Sequence, residues 1–334
     1  MGPTELWFMV SKILGIVAHS RQSDPRFRGR GTYSIWHVLK VVLFCQVHRI
    51  SLPLFERKRR QKRFLHQYGL PNRTISRSQV YKRLQDRRLV WGLVEVLSQS
   101  AARALRSLRA LGTPCRVVAM DLTRIQSDPD RDPWGRWGFD SRGYFYGYKL
   151  GLVTSEHGVV LGMTFMRANW VEFKVNRCLI RMARNVVQSA SGQIPLDYLV
   201  CDSGFDGEST FEEARRSLHC PALCRPKRPR NPRAKNAAQI LAKAKRRTPH
   251  RYRNQDLLST SDSARQAYKL RGQIERVNGQ IKDDGIRIAE IPSRRRGVRR
   301  MLPIALGKLV IYNIALNVNI AKGEGIRKIK HLVA

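Results

Sequence analysis

The sequence predicts a mixed α/β sheet domain preceded by a helical region. Three observations carry this reading. Composition shifts at Gly112-Thr113-Pro114, short apolar runs of strand length begin just after it, and strands then alternate with helical periodicity. At 334 residues the chain has room for two domains, or for a large domain with a small companion. The shift divides it into a helical region, 1–112, and a sheet domain, 113–334.

In the first region, Leu6–Ala18 is apolar but too short to span a bilayer. It follows Glu5 rather than a basic segment, and no small-residue cleavage site follows, so a signal peptide is not expected. Trp36–Val47 is an apolar stretch broken by Lys40 and Gln46. The basic run Arg57-Lys58-Arg59-Arg60-Gln61-Lys62-Arg63 comes next, then a turn at Gly69-Leu70-Pro71-Asn72. Ser76 is placed to N-cap a helix running through Val80, Leu84 and Leu89. Helix, glycine turn and a helix bearing Arg77, Gln79, Lys82 and Arg83 are similar to a helix-turn-helix DNA reader. A solvated basic helix pair that only packs is the alternative.

In the second region, Arg116–Leu122 reads as a strand holding Asp121 near its end. Tyr144–Val153 and Val159–Phe165 read as two strands of a hairpin turning at His157-Gly158. Val175, Leu179, Met182 and Val186 keep a helical period. Tyr198–Cys201 is a further strand, ending at Asp202, and Gly207–Leu218 is a helix. Arg225–Arg253 contains no acid and reads as an exposed basic loop with a helix around Ala237–Ala244. It is either a solvated connector or an arm that tracks a polyanion. Leu302–Ile320 is apolar but interrupted by Lys308, Asn313, Asn317 and Asn319, as in a buried core helix.

Charge narrows the function. With 63 Lys plus Arg against 25 Asp plus Glu, the net charge is +38. That much self-repulsion argues against an ordinary metabolic enzyme and for a polyanionic partner, nucleic acid before an anionic membrane. The six cysteines are scattered as in a reduced protein, and Cys220 and Cys224 beside His219 have no second ligand pair that would complete a zinc site.

Two aspartates sit at the carboxyl ends of predicted strands, where open α/β sheets gather ligands: Asp121 and Asp202. If the strands are neighbours, the two carboxylates meet. A third acid lies in a predicted helix, Ala264–Asp283. At about 100° per residue, Tyr268, Arg271, Glu275 and Lys282 form one polar stripe, and Leu270, Ile274, Val277 and Ile281 form an apolar stripe opposite. An Arg–Glu pair four residues apart is ordinary surface electrostatics. The Tyr and the Lys on the same line are less so.

Here the sequence resembles a known family. Tyr268-x2-Arg271-x3-Glu275-x6-Lys282 is similar to the Tyr-Arg-Glu-Lys signature of bacterial insertion-sequence DDE transposases of the insertion-sequence-four type. Asp121 in Met120-Asp121-Leu122-Thr123 resembles the first acid of that family's triad. Asp202 in Cys201-Asp202-Ser203-Gly204-Phe205-Asp206 resembles the second. Ala168-Asn169 with Glu172 is similar to a segment between them, and the resemblance runs from about Cys115 to the C-terminal apolar helix. It implies an RNase H-like catalytic domain, two Mg²⁺ or Mn²⁺ ions, and cut-and-paste movement of the protein's own element. The interval from Asp202 to Glu275 is too short for the large β-rich insertion of some relatives, and the basic segment Arg225–Arg253 occupies it instead.

The residue types suit that chemistry on their own terms. Cutting a phosphodiester needs an activated nucleophile, an in-line leaving group and charge neutralisation, which two close metal ions supply. Hard cations take oxygen ligands, so Asp121, Asp202 and Glu275 are the expected catalytic and metal-binding residues. Arg271 and Lys282 suit a phosphate, and Tyr268 a phosphate oxygen or a terminal base. Arg77, Gln79, Lys82, Arg59 and Arg60 are the expected DNA contacts of the helical region. Asp206 is either an auxiliary acid or a turn residue, and Trp134 and Trp137 either stack unpaired bases or cover a sheet edge. The expected partners are the double-stranded ends of the element and the target DNA, engaged by at least a dimer, in the cytoplasm with the nucleoid. A non-catalytic DNA-binding descendant and a structure-specific nuclease on the same fold are the rival functions. Inverted repeats flanking the gene would separate the mobile-element enzyme from both.

Overall fold

The structure is a computed structural model. It describes residues 3–27, 33–58, 62–70, 75–130, 132–140, 142–171, 174–191, 195–225, 248–281 and 297–324. Arg59, Arg60, Pro71, Asn72, Glu172, Lys282, Asp283 and most of Arg225–Arg253, including Ala237–Ala244, lie outside the described residues.

The chain opens with helices α1 (Pro3–Ser20), α2 (Ile35–Val47), α3 (Leu52–Lys58), α4 (Lys62–Gln67), α5 (Arg77–Arg83) and α6 (Arg87–Ala110). The expected single helix from Ser76 through Leu89 is two. Ser76 starts α5 through a reciprocal capping box with Gln79. Asp86 then stops it from merging with α6. Its backbone is extended (φ −73°, ψ 123°), and its carboxylate accepts from the Arg88 N–H, capping the next helix. The guanidinium groups of Arg83 and Arg88 close on the same carboxylate.

Six strands follow: β1 (Val117–Gln126), β2 (Arg136–Asp140), β3 (Gly143–Ser155), β4 (Val160–Arg167), β5 (Tyr198–Cys201) and β6 (Ala222–Cys224). They form one sheet in the order β2–β3–β1–β5–β6, with β4 also paired to β3. β3 runs antiparallel to β1, β2 and β4, whereas β1–β5 and β5–β6 are parallel. Gly158, at φ +77°, makes the β3–β4 turn where a side chain would be strained. β2 and β6 went unread in the sequence, and β1 runs five residues past Asp121.

Helices α7 (Asn176–Ser191), α8 (Glu208–Leu218), α9 (Pro249–Thr260), α10 (Asp262–Lys269), α11 (Arg271–Gly279) and α12 (Val298–Ala321) complete the described chain. Asn254 of α9 seals the short edge strand β6. Its amide donates to the Cys224 carbonyl, and its oxygen accepts from the Cys224 N–H. The helix expected over Ala264–Asp283 breaks at Leu270. There the Leu270 N–H reaches back only to Ala267 and the Gln273 N–H only to Leu270, a tightened turn.

One apolar cluster runs from α1 through α6 and the sheet to α12, with Trp7, Phe44, Leu97, Leu152 and Leu309 among its fully buried members. Met301–Ala321 of α12 is long and apolar enough to cross a membrane, but most of it is buried inside the fold. Two of its asparagines bond to neighbouring elements. Asn313 donates to the Val160 carbonyl and accepts from the Val160 N–H, and Asn317 donates to the Ser100 carbonyl. The helix thus joins α6 to strand β4 through side-chain hydrogen bonds.

Candidate active site

Strand register decides where the first two acids go. Ala119 pairs with Val200 and Met120 with Cys201 across the parallel β1–β5 ladder. Side chains alternate along a strand, so Asp121 and Asp202, each two residues past the Ala119–Val200 pair, leave the sheet on the same face. Val117, Val200 and Leu223 on that face pack on Ala264 and Ala267 of α10. The next helix, α11, then carries Glu275 to the same cavity as Asp121 of β1 and the end of β5. Asp121, Asp202 and Glu275 line one cavity of about 950 Å³. Asp121 is mid-strand rather than terminal: β5 stops opposite Met120, and β1 continues with β3 alone.

Ile274 and Val277 of α11 are buried, as the apolar stripe requires, and Ile281 just beyond it is buried too. On the polar side, Arg271 donates to Asp202 Oδ1 at 3.2 Å and pairs with Glu275 Oε1 at 3.1 Å. Its guanidinium therefore lies between two half-exposed carboxylates rather than reaching free into solvent. Asp121 sits deeper. Burial, reinforced by the charges of Asp202 and Glu275, pushes its pKa up to about 6. The Asn278 amide donates to Asp121 Oδ2 at 2.7 Å. Arg124, Arg142 and Lys149 add positive charge to the cavity wall. Lys149 is buried, with Nζ donating to the Trp170 carbonyl at 3.3 Å.

The other expected residues that the structure describes lie apart from this cavity. Tyr268, on α10, does not line it. It packs on the Val117–Val200–Leu223 cluster with the Arg225 guanidinium 5.6 Å from its ring centre. Burial raises its hydroxyl pKa. Arg77, Gln79 and Lys82 are exposed on α5, where the Gln79 side-chain oxygen accepts from the Ser76 N–H. Asp206 is paired bidentately with Arg251 at 2.9 and 2.6 Å and does not line the cavity, so it ties α9 to the loop after β5. Trp134 and Trp137 do not line the cavity either. Trp137 lies on edge strand β2, and both are more than half exposed. Cys220 and Cys224 are buried free thiols.

Sequence reasoning missed Asn278, Lys149, Arg124 and Arg142. Asn278 had a signal: it follows Glu275 by three residues, which puts both on one helix face. The other three had none beyond the general excess of basic residues. A second acidic group, Glu208, Glu212 and His250, has its ligand atoms within 4.8 Å of one another. Both Glu208 oxygens are already used there, accepting the His250 and Arg251 N–H groups at the start of α9.

A mixed sheet that gathers three carboxylates under a helix is compatible with an RNase H-like DDE domain. The model of the transposase DDE domain matches residues 113–314, and the chain belongs to that family. It is a transposase, an enzyme of DNA transposition and recombination encoded by insertion sequences. A search among curated proteins gave no match. The family typically uses divalent metal ions. The residues at the cavity fit such ions: three carboxylates are hard oxygen donors, and the buried Asn278 Oδ1 beside them has no hydrogen-bond partner among the described residues.

Proposed function

We propose that this transposase binds the ends of its own insertion sequence and catalyses metal-dependent strand cleavage and strand transfer. The observation that carries the reading is the convergence of Asp121, Asp202 and Glu275 on one cavity whose wall also bears Arg124, Arg142 and Lys149. Acids to hold cations and bases to hold phosphate are what phosphodiester chemistry requires side by side. Two Mg²⁺ or Mn²⁺ ions would be held by the three acids and would activate the attacking oxygen and neutralise the leaving one.

The protein's own groups do the rest. Burial and charge repulsion hold Asp121 primed to exchange its proton for a cation near neutral pH. Arg271 balances Asp202 and Glu275 and engages the phosphate of the cleaved end, helped by Lys282, while Tyr268, set back from the cavity, contacts the DNA beyond it. The helical region 1–112 reads the terminal sequence through Arg77, Gln79 and Lys82, with Arg59 and Arg60 holding the backbone, and 113–334 forms the catalytic domain. Bringing two ends together calls for a homodimer acting on target DNA, in the cytoplasm with the nucleoid. The Tyr-Arg-Glu-Lys spacing supports placing the enzyme in the insertion-sequence-four group.

The test is Glu275→Gln, which keeps shape and removes a metal-binding charge. Cleavage and joining of end-bearing DNA fall to background while the affinity for that DNA is held or slightly raised. Cutting at the wild-type rate would remove Glu275 from catalysis.

A further inference from the structure

Asn278 differs from every other polar group around the acids. Its side chain is only 6% exposed, it lines the acid cavity, and its Nδ2 donates to Asp121 Oδ2 at 2.7 Å. Its Oδ1 is buried and accepts from no described residue. A buried amide oxygen is expensive to leave unpaired, and such groups in folded proteins have a reason to be there.

Asn278 lines the cavity, so a group bound there is the donor to consider, and chemistry limits what it is. A phosphodiester offers only acceptors. Ionised Asp121, Asp202 and Glu275 offer only acceptors too. Water bound to a divalent cation is a strong donor, because the metal polarises its O–H bonds outward. The geometry points to Asn278 as a positioning residue for a divalent cation. Its Nδ2 fixes the Asp121 carboxylate, and its Oδ1 accepts a hydrogen bond from water that the cation carries. This deepens the reading of the three acids as metal ligands and rests on it. Outer partners of this kind orient the ligands and set affinity, and losing one typically weakens metal binding about 10–100-fold.

Mn²⁺ alone, titrated into the metal-free full-length protein without DNA, tests this. Free Mn²⁺ is read by electron paramagnetic resonance, and melting is followed with and without metal. Asn278→Ala weakens Mn²⁺ uptake by about 10-fold or more. Asn278→Asp keeps the acceptor and loses the donor. It lowers metal-free melting by facing Asp121 with a like charge, yet takes up Mn²⁺ at least as tightly as wild type. A merely structural asparagine would not separate the two variants in that direction. Wild-type affinity in Asn278→Ala, or affinity below wild type in Asn278→Asp, overturns the inference. Should Asn278→Ala fail to fold, Asn278→Asp decides alone. Asp121→Asn separates the two levels. If it binds Mn²⁺ like wild type, the acids are not the metal site and the underlying reading falls as well. If it loses Mn²⁺ while Asn278→Ala does not, only the role of Asn278 falls.

Discussion

Asp121→Asn should make the metal-free protein more stable while abolishing its chemistry. In the native state this carboxyl titrates near 6, against an ordinary value of 3.8, chiefly because it is buried and then because Asp202 and Glu275 repel its charge. At pH 8 it is ionised in the folded and unfolded states alike, and holding that charge in the fold costs roughly 3 kcal/mol. Below about pH 4 it is neutral in both states and the cost vanishes. The sign follows from linkage. The folded protein holds this proton to higher pH than the unfolded chain does, so Asp121 takes stability away as pH rises from about 4 through 6. Asparagine is neutral throughout and still accepts from Asn278. The variant should match wild type at pH 4 and exceed it at pH 8 by up to about 3 kcal/mol, on the order of 5 °C in melting temperature. Melting curves of both proteins in chelator, at pH 4 to 8, measure it. An equal offset at every pH, or a loss of stability at pH 8, would refute the electrostatic reasoning. Saturating Mn²⁺ should narrow the gap, since only the wild type gains from binding the ion.

Arg271→Ala should change metal-free stability by about 1 kcal/mol or less, because both of its ion pairs are partly exposed, but should enlarge the Mn²⁺-induced rise in melting temperature. No enlargement would mean that Arg271 does not balance the two acids. Ile274→Asp, next to Glu275 but fully buried, should cost more than about 3 kcal/mol and lower melting with or without metal; a wild-type melt would place that side chain outside the core. Binding to DNA should weaken by about 10³–10⁵ between 50 and 200 mM salt if 6–10 phosphates are contacted. A flat salt titration would remove the electrostatic argument built on the net charge.

The site was more legible than its surroundings, for a physical reason. The Asp121 and Asp202 strands are short apolar runs legible in the sequence, but their adjacency and the register that puts both acids on one face came only with the fold. The Tyr268–Lys282 spacing pointed to Glu275, but it also implied one straight helix. The break at Leu270 has only Gly272, two residues on, as a local signal. It is set by tertiary packing, with Ala264 and Ala267 on one sheet cluster and Ile274 and Val277 on the main core. β2 escaped notice because Arg136-Trp137-Gly138-Phe139-Asp140 is an exposed edge with no buried alternation, and β6 because three residues give no period. Asn278 was visible by spacing but not by type, since only the finished fold buries its oxygen.

The metal-free cavity is held together by substitutes. Arg271 supplies positive charge between Asp202 and Glu275, and Asn278 supplies the one hydrogen bond from a neighbouring side chain that Asp121 receives among the described residues. Neither substitute is complete. Asp121 still carries an elevated pKa, and Asn278 still carries an unpaired oxygen. Both deficits have the same remedy, a cation with its water. The elements that position the acids are tied down by polar pairs of their own: Asp206 is paired with Arg251, Glu208 caps α9, and Asn254 closes β6. The cost that Asp121 carries without a cation is the pattern expected where binding energy must come from a ligand rather than from the fold. If so, the stabilising substitutions at this site should be the inactivating ones, and Asp121→Asn should head that ranking.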